Sequence, residues 1–392
     1  MVSAETRLPT RIITCAWGEE YLNELLSITV PSLLALGNLP FVASQVPSEF
    51  VVLTEEKYFT RVSRDSRIAR IRNFCPIRLI GLDDLVSNPH VYGKSLTYAL
   101  HRGLADLGAE MVNTWHIFFN ADFILAEGCL QNVLPRLIRG ARIVAAPSYC
   151  VVAEDIKPIL ETRIDLTDGT LSIPSREMAR LALDYRHNTV RANTVNDHDF
   201  HARYVTQFYW RVGDDTLLAH QMPVAIVAMR PGRYVREPNS YWDQGLIKEF
   251  CPASGVDIIG DSDEFLMIEL RKRQVAKDTM LPGPGEPSVL ARDMLGMRTS
   301  YQLDFAFRPL TLHAKDLPAT LEDARRSLRR HIEGVLSHLS KHLPSHVNHP
   351  QWNYHHRAFM EHRYRFLSEK FGATSRSAGT PSARRSLSAS RS

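Results

Sequence analysis

Two oxygen-bearing side chains interrupt an otherwise apolar stretch at residues 117–125. The apolar residues 117–119 precede Asn120-Ala121-Asp122, and the apolar residues 123–125 follow. Residues two apart in an extended chain lie on the same side, so the amide of Asn120 and the carboxylate of Asp122 are expected to face together. Their oxygens suit Mg²⁺ or Mn²⁺, which in turn binds phosphates. The pattern predicts a divalent-cation site, and a polar turn or helix cap after a strand is the alternative.

Acidic clusters at 196–204 and 260–265 are the other candidates for chemistry. In the first, Asp197, Asp199 and His201 share one side of an extended chain, as metal ligands or contacts to a second substrate would. Clusters of Asn and Asp also favour turns and helix starts, and we favour that interpretation for this segment. The second cluster carries three acids before a predicted helix, where the helix dipole stabilises negative charge.

Alternating strands and helices in residues 10–155 are expected to position Asn120 and Asp122. Runs such as RIITCAW, FVVLTEEKYF, IRLIGL, HIFFNADFIL and ARIVAAPSYCVV read as buried strands, and helical patterns lie between them. This order predicts an α/β fold with a mostly parallel, Rossmann-like sheet flanked by helices. Ligands bind at the carboxyl ends of such strands, where HIFF runs into Asn-Ala-Asp. GxGxxG and GxxxxGK[ST] are both absent, so the ordinary dinucleotide and P-loop sites are not predicted.

The second half of the chain is less regular. PVAIVAMRP and LTLHAKDLP contain strand patterns, and GVDIIGDSDEFLMIELR reads as a strand, an acidic turn and a helix. Residues 320–343 predict a helix whose capping box is formed by Thr320 and Asp323. Residues 351–371 predict a last amphipathic helix. The segment that follows is rich in Ser and Arg, contains no acid, and is expected to be disordered.

Composition narrows the class of protein. The net charge of +4 is carried by the terminal tail, with its four arginines, so the folded part is near neutral and no nucleic-acid-binding surface is predicted. No apolar run is long enough for a transmembrane helix or a signal peptide. The five cysteines lie far apart without a CxxC pair, which indicates buried free thiols and a cytoplasmic location.

The order of these elements resembles that of the GT-A glycosyltransferases, in particular the glycogenin-like and lipopolysaccharide galactosyltransferase family. A strand ending in Asp-x-Asp, or in a variant such as Asn-x-Asp, resembles the metal-binding element of that fold. IITCAWGEEYL and FVVLTEEKY resemble its first two strands, which hold the nucleotide. The resemblance implies a glycosyltransferase domain at 1–318, with a nucleotide-binding half at 10–155 and an acceptor half at 156–318. A C-terminal helical extension at 319–371 and a tail at 372–392 would follow.

Two later stretches extend the resemblance. YWDQGLI resembles an Asp-Gln-(Gly/Asp)-Leu element that faces the transferred sugar, which implies catalytic roles for Asp243 and Gln244, with Asp215 and Asp199 as reserve candidates for the base. LTLHAKDLP resembles a late His-x-x-Gly-x-x-Lys-Pro-Trp element, without its Gly, Pro and Trp. His313 is then implied as a third metal ligand. The donor-binding residues implied by the family are Thr14, Ala16, Tyr21, Thr54, Glu55, Lys94 and Lys315.

The resemblance implies a metal-dependent, hexosyltransferase-like enzyme that moves a sugar from a nucleotide-sugar donor to a saccharide or lipid-linked acceptor. Mn²⁺ or Mg²⁺ would be its cofactor, and surface-polysaccharide biosynthesis at the inner face of the membrane its setting, with a peripheral membrane contact through 351–371. Two alternatives stay open. One is a sugar nucleotidylyltransferase, although the Gly-rich loop of that family is absent after the first strand. The other is a non-catalytic carbohydrate- or protein-binding member of the fold, because Asn120 offers one charge fewer than Asp.

Overall fold

The structure is a computed structural model that describes residues 7–86, 92–197, 199–202, 205, 207–222, 224–238, 242, 246–252, 255–274, 280–294 and 305–346. Its strands, in chain order, are β1 Thr10–Cys15, β2 Ser48–Thr54, β3 Ile77–Gly81, β4 Trp115–Asn120, β5 Phe123–Leu125, β6 Ile143–Ala146, β7 Ser148–Val152, β8 Phe200–Ala202, β9 Gln207–Val212, β10 Thr216–Gln221, β11 Ala225–Met229, β12 Asp257–Ile258, β13 Met267–Arg271, β14 Met280–Pro282 and β15 Leu310–His313. Its α-helices are α1 Gly18–Glu24, α2 Val30–Leu33, α3 Leu39–Gln45, α4 Phe59–Arg64, α5 Ser66–Ile71, α6 Asp83–Val86, α7 Tyr92–Ala105, α8 Cys129–Ile138, α9 Ala153–Thr162, α10 Ser175–Asp184, α11 Asn188–Ala192, α12 Leu246–Phe250, α13 Pro287–Met294 and α14 Leu321–His346.

A seven-stranded sheet with the order β12-β6-β11-β4-β1-β2-β3 forms the centre of the fold. Strands β4, β1, β2 and β3 pair in parallel, as do β6 and β12, whereas β11 runs antiparallel to both of its neighbours. Six strands therefore share one direction. This confirms the prediction of an α/β fold with a mostly parallel sheet flanked by helices.

The apolar strand sequences produce this sheet because both of its faces are covered. All six residues of β1 are buried, and helix α7 packs on β1 and β2. Gly103 of α7 makes the close approach possible, since a Cβ there would lie 3.0 Å from Cγ2 of Ile13. In the described residues, no helix combines the length and apolar character needed to cross a bilayer. All five cysteines are buried thiols without a disulfide, as predicted.

The helical spacing of apolar residues at 21–36 continues through Pro31, but the α-helix is interrupted just before that residue. Helix α1 passes into a π-helical turn at Leu25–Thr29, in which the backbone N–H of Val30 donates to the carbonyl of Leu25. Pro31 has no N–H to donate to the carbonyl four residues earlier, so a regular α-helical ladder cannot continue through it. The wider turn leads into α2 and brings Thr29 against the loop that follows β4.

Two sequence expectations were wrong in detail. ARIVAAPSYCVV is not one strand: β6 belongs to the central sheet, whereas β7 belongs to a separate sheet with the order β5-β13-β7. FLMIELR is not a helix but contributes β13, which pairs with both β5 and β7. The acids of 260–265 therefore precede a strand and do not cap a helix. Neighbouring strands on both sides outweigh the helical propensity of Leu, Met and Glu in this segment.

The remaining strands form smaller layers beside the central sheet. Strands β15, β10 and β9 make an antiparallel sheet, and β14 pairs with β8. Helices α13 and α14 pack on each other, and α14 also packs on β9, around a second apolar cluster that includes Phe208 and Leu218. This layer lies next to the cleft described below, because Gln207 at the start of β9 lines that cleft.

Candidate functional site

A cleft of about 790 Å³ opens at the carboxyl edge of the central sheet. Strands β1 and β4 pair in register so that Cys15 lies opposite Asn120, and both strands end there. The chain that follows β4 turns back into the cleft, and Asn120 and Asp122 both line it. The structure thus brings together the two side chains that the sequence pattern singled out.

Two hydrogen bonds fix the backbone of the Asn120–Asp122 turn. The hydroxyl of Thr29 donates to the carbonyl of Ala121 at 2.5 Å, and the backbone N–H of Leu270 donates to the carbonyl of Asp122 at 2.9 Å. Thr29 and Ala121 are buried, so both contacts are shielded from water. The π-helical segment and β13 therefore hold the backbone of the turn from two sides. The side chains of Asn120 and Asp122 line the cleft.

Glu269 of β13 is a second carboxylate of this cleft. Its side chain is 11% exposed and accepts hydrogen bonds from Nε of Arg271 at 2.7 Å and from the hydroxyl of Ser148 at 3.1 Å. Burial, and then the negative charge of Glu269, raise the pKa of Asp122 to about 8. In the described residues no basic side chain forms an ion pair with Asp122. The carboxyl group is therefore in an environment that a bound cation would change strongly.

Acidic groups outnumber basic groups around the cleft. Apart from His187, the described lining residues with acidic or basic side chains are Glu20, Glu24, Asp122, Glu269, Arg271 and Lys272. Lys272 pairs with Glu20 at 2.7 Å, and Lys157, outside the lining, pairs with Glu24 at 3.0 Å. The guanidinium of Arg271 is held by Glu269, whose charge raises the pKa of the arginine. Asp122 is therefore the cleft acid without an ion-pair partner among the described residues, and its raised pKa keeps it largely protonated near neutral pH. A cation bound beside it would favour the ionised form and would also attract a negatively charged ligand.

His187 lines the cleft as a neutral imidazole with one defined tautomer. Its Nδ1 accepts a hydrogen bond from the backbone N–H of Thr189 at 3.2 Å, so its proton lies on Nε2 and is donated to the carbonyl of Lys272 at 2.8 Å. Burial lowers the pKa of His187. Both ring nitrogens are occupied, so this histidine fixes the segment after β13 and is not a free base.

The loop after β1 narrows one end of the cleft. A small adjoining pocket is lined by Trp17 and Tyr21 from this loop and α1, together with Asn120 and Asp122. Glu55 holds this loop in place. Its carboxylate accepts a hydrogen bond from the backbone N–H of Gly18 at 2.7 Å and forms an ion pair with Lys57 at 2.5 Å. The ends of β1 and β4 thus share one continuous surface.

The donor-binding residues expected from the sequence differ in their access to this surface. Tyr21 lines the cleft, and Glu55 is 7% exposed. Thr14 and Thr54 are fully buried, with hydroxyls that lack a hydrogen-bond partner in the described residues, and Ala16 is 1% exposed. Lys94 falls in the first turn of α7, and its side chain lies outside the described residues. Their roles stay predictions.

His313 and Lys315 lie in another part of the protein from Asp122. Nδ1 of His313 donates to the carbonyl of Lys315 at 2.7 Å, which leaves Nε2 3.0 Å from a carboxylate oxygen of Asp261. His313, Asp261 and Asp263 form a group whose ligand atoms lie within 4.8 Å of one another and could hold a metal ion. Neither His313 nor Lys315 is among the described residues that line the cleft.

The surroundings of this second group are strongly paired. Arg176 contacts Asp263 at 3.1 Å, and Lys315 contacts Asp215 at 3.0 Å. Asp215, a reserve candidate for the base, is also held by Arg180 at 2.7 Å. The acids that were expected to cap a helix are therefore part of a possible metal group or of ion pairs beside β15.

The two predicted catalytic residues, Asp243 and Gln244, lie outside the described residues. Their neighbour Trp242 is described, and it lines the cleft. The backbone N–H of Trp242 donates to the hydroxyl of Thr97 at 2.9 Å, and its ring meets Phe118 edge-on with centroids 4.6 Å apart. The segment that carries the predicted pair therefore begins at the cleft.

Sequence reasoning missed Glu269, Arg271 and His187. The first two were assigned to a helix, in which alternation by two has no meaning, although Glu269 and Arg271 are two residues apart and lie on the same side of β13. His187 stands between a helical pattern and a polar turn, where nothing in the sequence distinguishes it. If IELR is assigned to a strand, Glu269 and Arg271 stand out as two charged residues on one side of an otherwise apolar segment.

Comparisons with known proteins gave distant matches only. No protein-family model and no curated protein matches the sequence. Similar solved structures include mouse xyloside xylosyltransferase 1 in its apo form, at 14% identity and a TM-score of 0.27 over 36% of this chain and 53% of that one. A Bacillus anthracis protein named as a glucose-1-phosphate thymidylyltransferase, in complex with sucrose, matches at 14% identity and a TM-score of 0.23 over 37% of this chain and 55% of that one.

A mannosyltransferase from Pyrobaculum calidifontis, in complex with GDP-Man and Mn²⁺, matches at 13% identity and a TM-score of 0.32 over 93% of this chain and 87% of that one. The chain spans about half the length of the first two of these proteins. At such TM-scores the likenesses carry no argument about this chain. What can be concluded about its chemistry comes from the cleft at the ends of β1 and β4.

Proposed function

We propose that this protein is a divalent-cation-dependent glycosyltransferase of the GT-A type that takes its sugar from a nucleotide-sugar donor. The observation that carries the proposal is the cleft at the ends of β1 and β4, with Asn120 and Asp122 side by side in its wall. Ligands of parallel α/β sheets bind at this edge. A cleft of about 790 Å³ falls in the range of 300–1,000 Å³ that holds ligands of this size.

The oxygen atoms of Asn120 and Asp122 suit a hard divalent cation as ligands. Asp122 offers a carboxylate that no described basic side chain engages, and Asn120 offers a neutral carbonyl oxygen. Oxygen ligands of these types are those that Mg²⁺ and Mn²⁺ prefer. The raised pKa of Asp122 also indicates a group whose ionised form lacks compensation. A cation bound here would neutralise the charge that develops on a departing nucleoside diphosphate.

The chain's own residues would orient the donor and exclude competing reactions. Thr29 and the N–H of Leu270 keep the Asn120–Asp122 turn in place, so these ligands need little rearrangement when the donor binds. Arg271 and Lys272 provide positive charge at the same cleft, the role that the sequence resemblance had assigned to Lys94 and Lys315. Trp242 lines the same cleft, and the catalytic roles of Asp243 and Gln244, which follow it in the sequence, are part of the proposal.

The group of Asp261, Asp263 and His313 is a second candidate for holding the metal. The N–H of His313 Nδ1 donates to a carbonyl, an arrangement that commonly orients a metal-binding histidine through its other nitrogen. Arg176 already occupies Asp263, however, which weakens the case for this group relative to Asp122. A direct comparison of variants separates the two.

The experiment measures binding and turnover with the two sites altered one at a time. Thermal unfolding is followed with UDP-, GDP-, ADP- and dTDP-sugars, each with and without MnCl₂, because a ligand that binds only the folded protein raises its apparent stability. We expect a Mn²⁺-dependent rise with one nucleotide, and slow hydrolysis of that sugar nucleotide. Asp122→Asn should abolish both, whereas Asp261→Asn and the exposed control Asp323→Asn should retain them.

Four outcomes would contradict the proposal. If no sugar nucleotide changes the unfolding temperature, the cleft does not bind a nucleotide-sugar donor. If Asp122→Asn is fully active and Asp261→Asn loses activity, the metal binds at the group of Asp261, Asp263 and His313 instead. Release of pyrophosphate from a nucleoside triphosphate and a sugar 1-phosphate would instead identify a sugar nucleotidylyltransferase, and sugar binding without any turnover would support the non-catalytic alternative.

A further inference from the structure

A second pocket, of about 300 Å³, lies beside the donor cleft. Its walls come from the segment between α11 and β8, from β9, and from the start of α13. Gln207, the first residue of β9, lines both this pocket and the cleft. The two spaces are therefore neighbours that meet at one amide side chain. Asp197 and His201, which the sequence offered as metal ligands or contacts to a second substrate, both line this pocket.

Three polar atoms at this pocket, on Asn193, His201 and His331, are buried without a hydrogen-bond partner in the described residues. Asn193 lines the pocket and is 8% exposed; its Nδ2 donates to the carbonyl of Thr189 at 2.7 Å, while its Oδ1 has no partner. His201 has Nδ1 2.9 Å from the carbonyl of Gly283, so its proton lies there, and its Nε2 is an acceptor without a partner. Buried acceptors left unpaired cost free energy, which a ligand that supplies O–H or N–H donors recovers.

Aromatic rings provide the other half of the pocket's chemistry. Phe200, 40% exposed, and Trp210, partly buried, both line it. Phe208 and His331 also line it, with their rings edge-on and centroids 5.9 Å apart. Flat apolar faces combined with hydrogen-bond acceptors suit a ligand that has C–H faces and hydroxyl edges.

Among the described residues, the charges at this pocket disfavour an anionic ligand. The described lining residues include the acids Asp197 and Glu286 and no lysine or arginine. A phosphate, sulfate or uronate group would therefore meet negative charge with no cation to offset it. The combination of unpaired acceptors, aromatic faces and acids fits a neutral polyhydroxylated ligand.

We propose that this pocket binds a neutral saccharide, with Phe200 and Trp210 against its ring faces and Asn193 and His201 accepting from its hydroxyls. That this saccharide is the acceptor of the transferred sugar rests on the proposed function. Gln207 marks the point at which the saccharide would pass from the pocket into the donor cleft.

A chain of hydrogen bonds orients the amide of Gln207 for this role. Nε2 of Gln221 donates to the carbonyl of Ser148 at 3.0 Å and to the hydroxyl of Tyr209 at 3.2 Å. The proton of that hydroxyl is consequently donated to Oε1 of Gln207 at 2.7 Å. With its oxygen engaged, Gln207 has the N–H donors of Nε2 left for a ligand. Tyr209 and Gln221 are buried positioning residues, because they act on the ligand through Gln207.

The test uses a printed array of neutral and acidic oligosaccharides, probed with the labelled full-length protein in the absence of nucleotide and metal. Dense display strengthens weak monovalent binding. The best neutral saccharide is then titrated by calorimetry against three variants. His201→Asn keeps a donor near the Gly283 carbonyl and removes the free acceptor. Phe200→Leu removes the aromatic face but keeps an apolar side chain, and Phe74→Leu is its control at a similarly exposed phenylalanine outside the pocket.

We expect one class of neutral saccharide to bind, with affinity reduced about tenfold or more by His201→Asn and by Phe200→Leu and unchanged by Phe74→Leu. Unfolding curves of each variant confirm that the fold is retained. Binding of acidic saccharides alone, no binding to any neutral saccharide, or equal affinity of all three variants would overturn the proposal.

Failure of the donor site gives a different result. If no sugar nucleotide binds but Asp122→Asn and wild type bind the neutral saccharide equally, the pocket stands and only its role as an acceptor site is lost. If the donor binds and the saccharide does not, the proposed function stands without this pocket.

Discussion

Replacing Asp122 by Asn should stabilise the protein in the absence of metal, although it removes the residue on which the proposed activity depends. Burial and the charge of Glu269 raise the pKa of Asp122 from 3.8 to about 8. An acid whose pKa is higher in the folded state contributes its full stability below the unfolded pKa and loses it as the pH rises toward the folded pKa. Wild-type stability should therefore fall, through this group, between about pH 4 and pH 8.

The size of the effect follows from the same shift. Each pH unit in this window corresponds to about 1.4 kcal/mol, so the three units between 3.8 and 7 set an upper limit of about 4 kcal/mol. Asp122 is partly exposed to an open cleft, and water there screens part of the charge, so we expect a gain of about 2 kcal/mol at pH 7 for Asp122→Asn. The amide keeps the shape of the carboxyl group and removes its proton equilibrium.

The assay is urea unfolding in EDTA at pH 5, 6.5 and 8, with wild type, Asp122→Asn and the exposed control Asp323→Asn. The advantage of Asp122→Asn over wild type should increase with pH, while Asp323→Asn should follow wild type throughout. A variant that is less stable than wild type, or an advantage that is the same at pH 5 and pH 8, would refute the account of Asp122 as an uncompensated acid. Addition of MnCl₂ should stabilise wild type and leave Asp122→Asn unchanged.

Three further predictions test the supports of the site and the sheet beneath it. Thr29→Val leaves the carbonyl of Ala121 unpaired and should cost about 1–3 kcal/mol in urea unfolding; no loss would show that the hydrogen bond is dispensable. Glu55→Ala removes the acceptor of the Gly18 N–H, so that amide should exchange with deuterium faster, and unchanged protection would contradict the role given to Glu55. Burial lowers the pKa of His116 to about 4 from 6.5, so stability should be constant above pH 6.5 and fall by up to about 3 kcal/mol as the pH drops to 4; His116→Gln should flatten this dependence, and an unaltered pH profile would refute it.

The sheet was predictable from the sequence because its strands are apolar on both faces. Strands β1, β2, β3 and β4 stood out as short buried runs, and each is separated by a helix or turn of the length that parallel connections need. Their shared direction then fixed the edge at which Asn120 and Asp122 had to lie. The Asn-Ala-Asp pattern and the fold class together predicted that Asn120 and Asp122 lie at this edge of the sheet.

Strand β13 was not predictable in the same way. Its sequence contains good helix formers, and its strand state depends on β5 and β7, which are distant in sequence. The same long-range pairing brings Glu269 opposite Phe123 and so beside Asp122. His313 shows the reverse case: its residue type suited a metal, but tertiary packing joined it to Asp261, which local spacing could not reveal.

The charge balance of the cleft gives a physical reason for an amide at position 120, where the Asp-x-Asp pattern that this turn resembles has Asp. Asp122 and Glu269 already place two acids near each other, and the pKa of Asp122 is raised as a result. A third carboxylate at position 120 would add like-charge repulsion to a group that is already hard to ionise. An amide supplies a neutral oxygen for the same cation without that repulsion. An amide at position 120 thus avoids further repulsion beside Asp122 and Glu269, and the proposed cation site does not require a second aspartate in the turn.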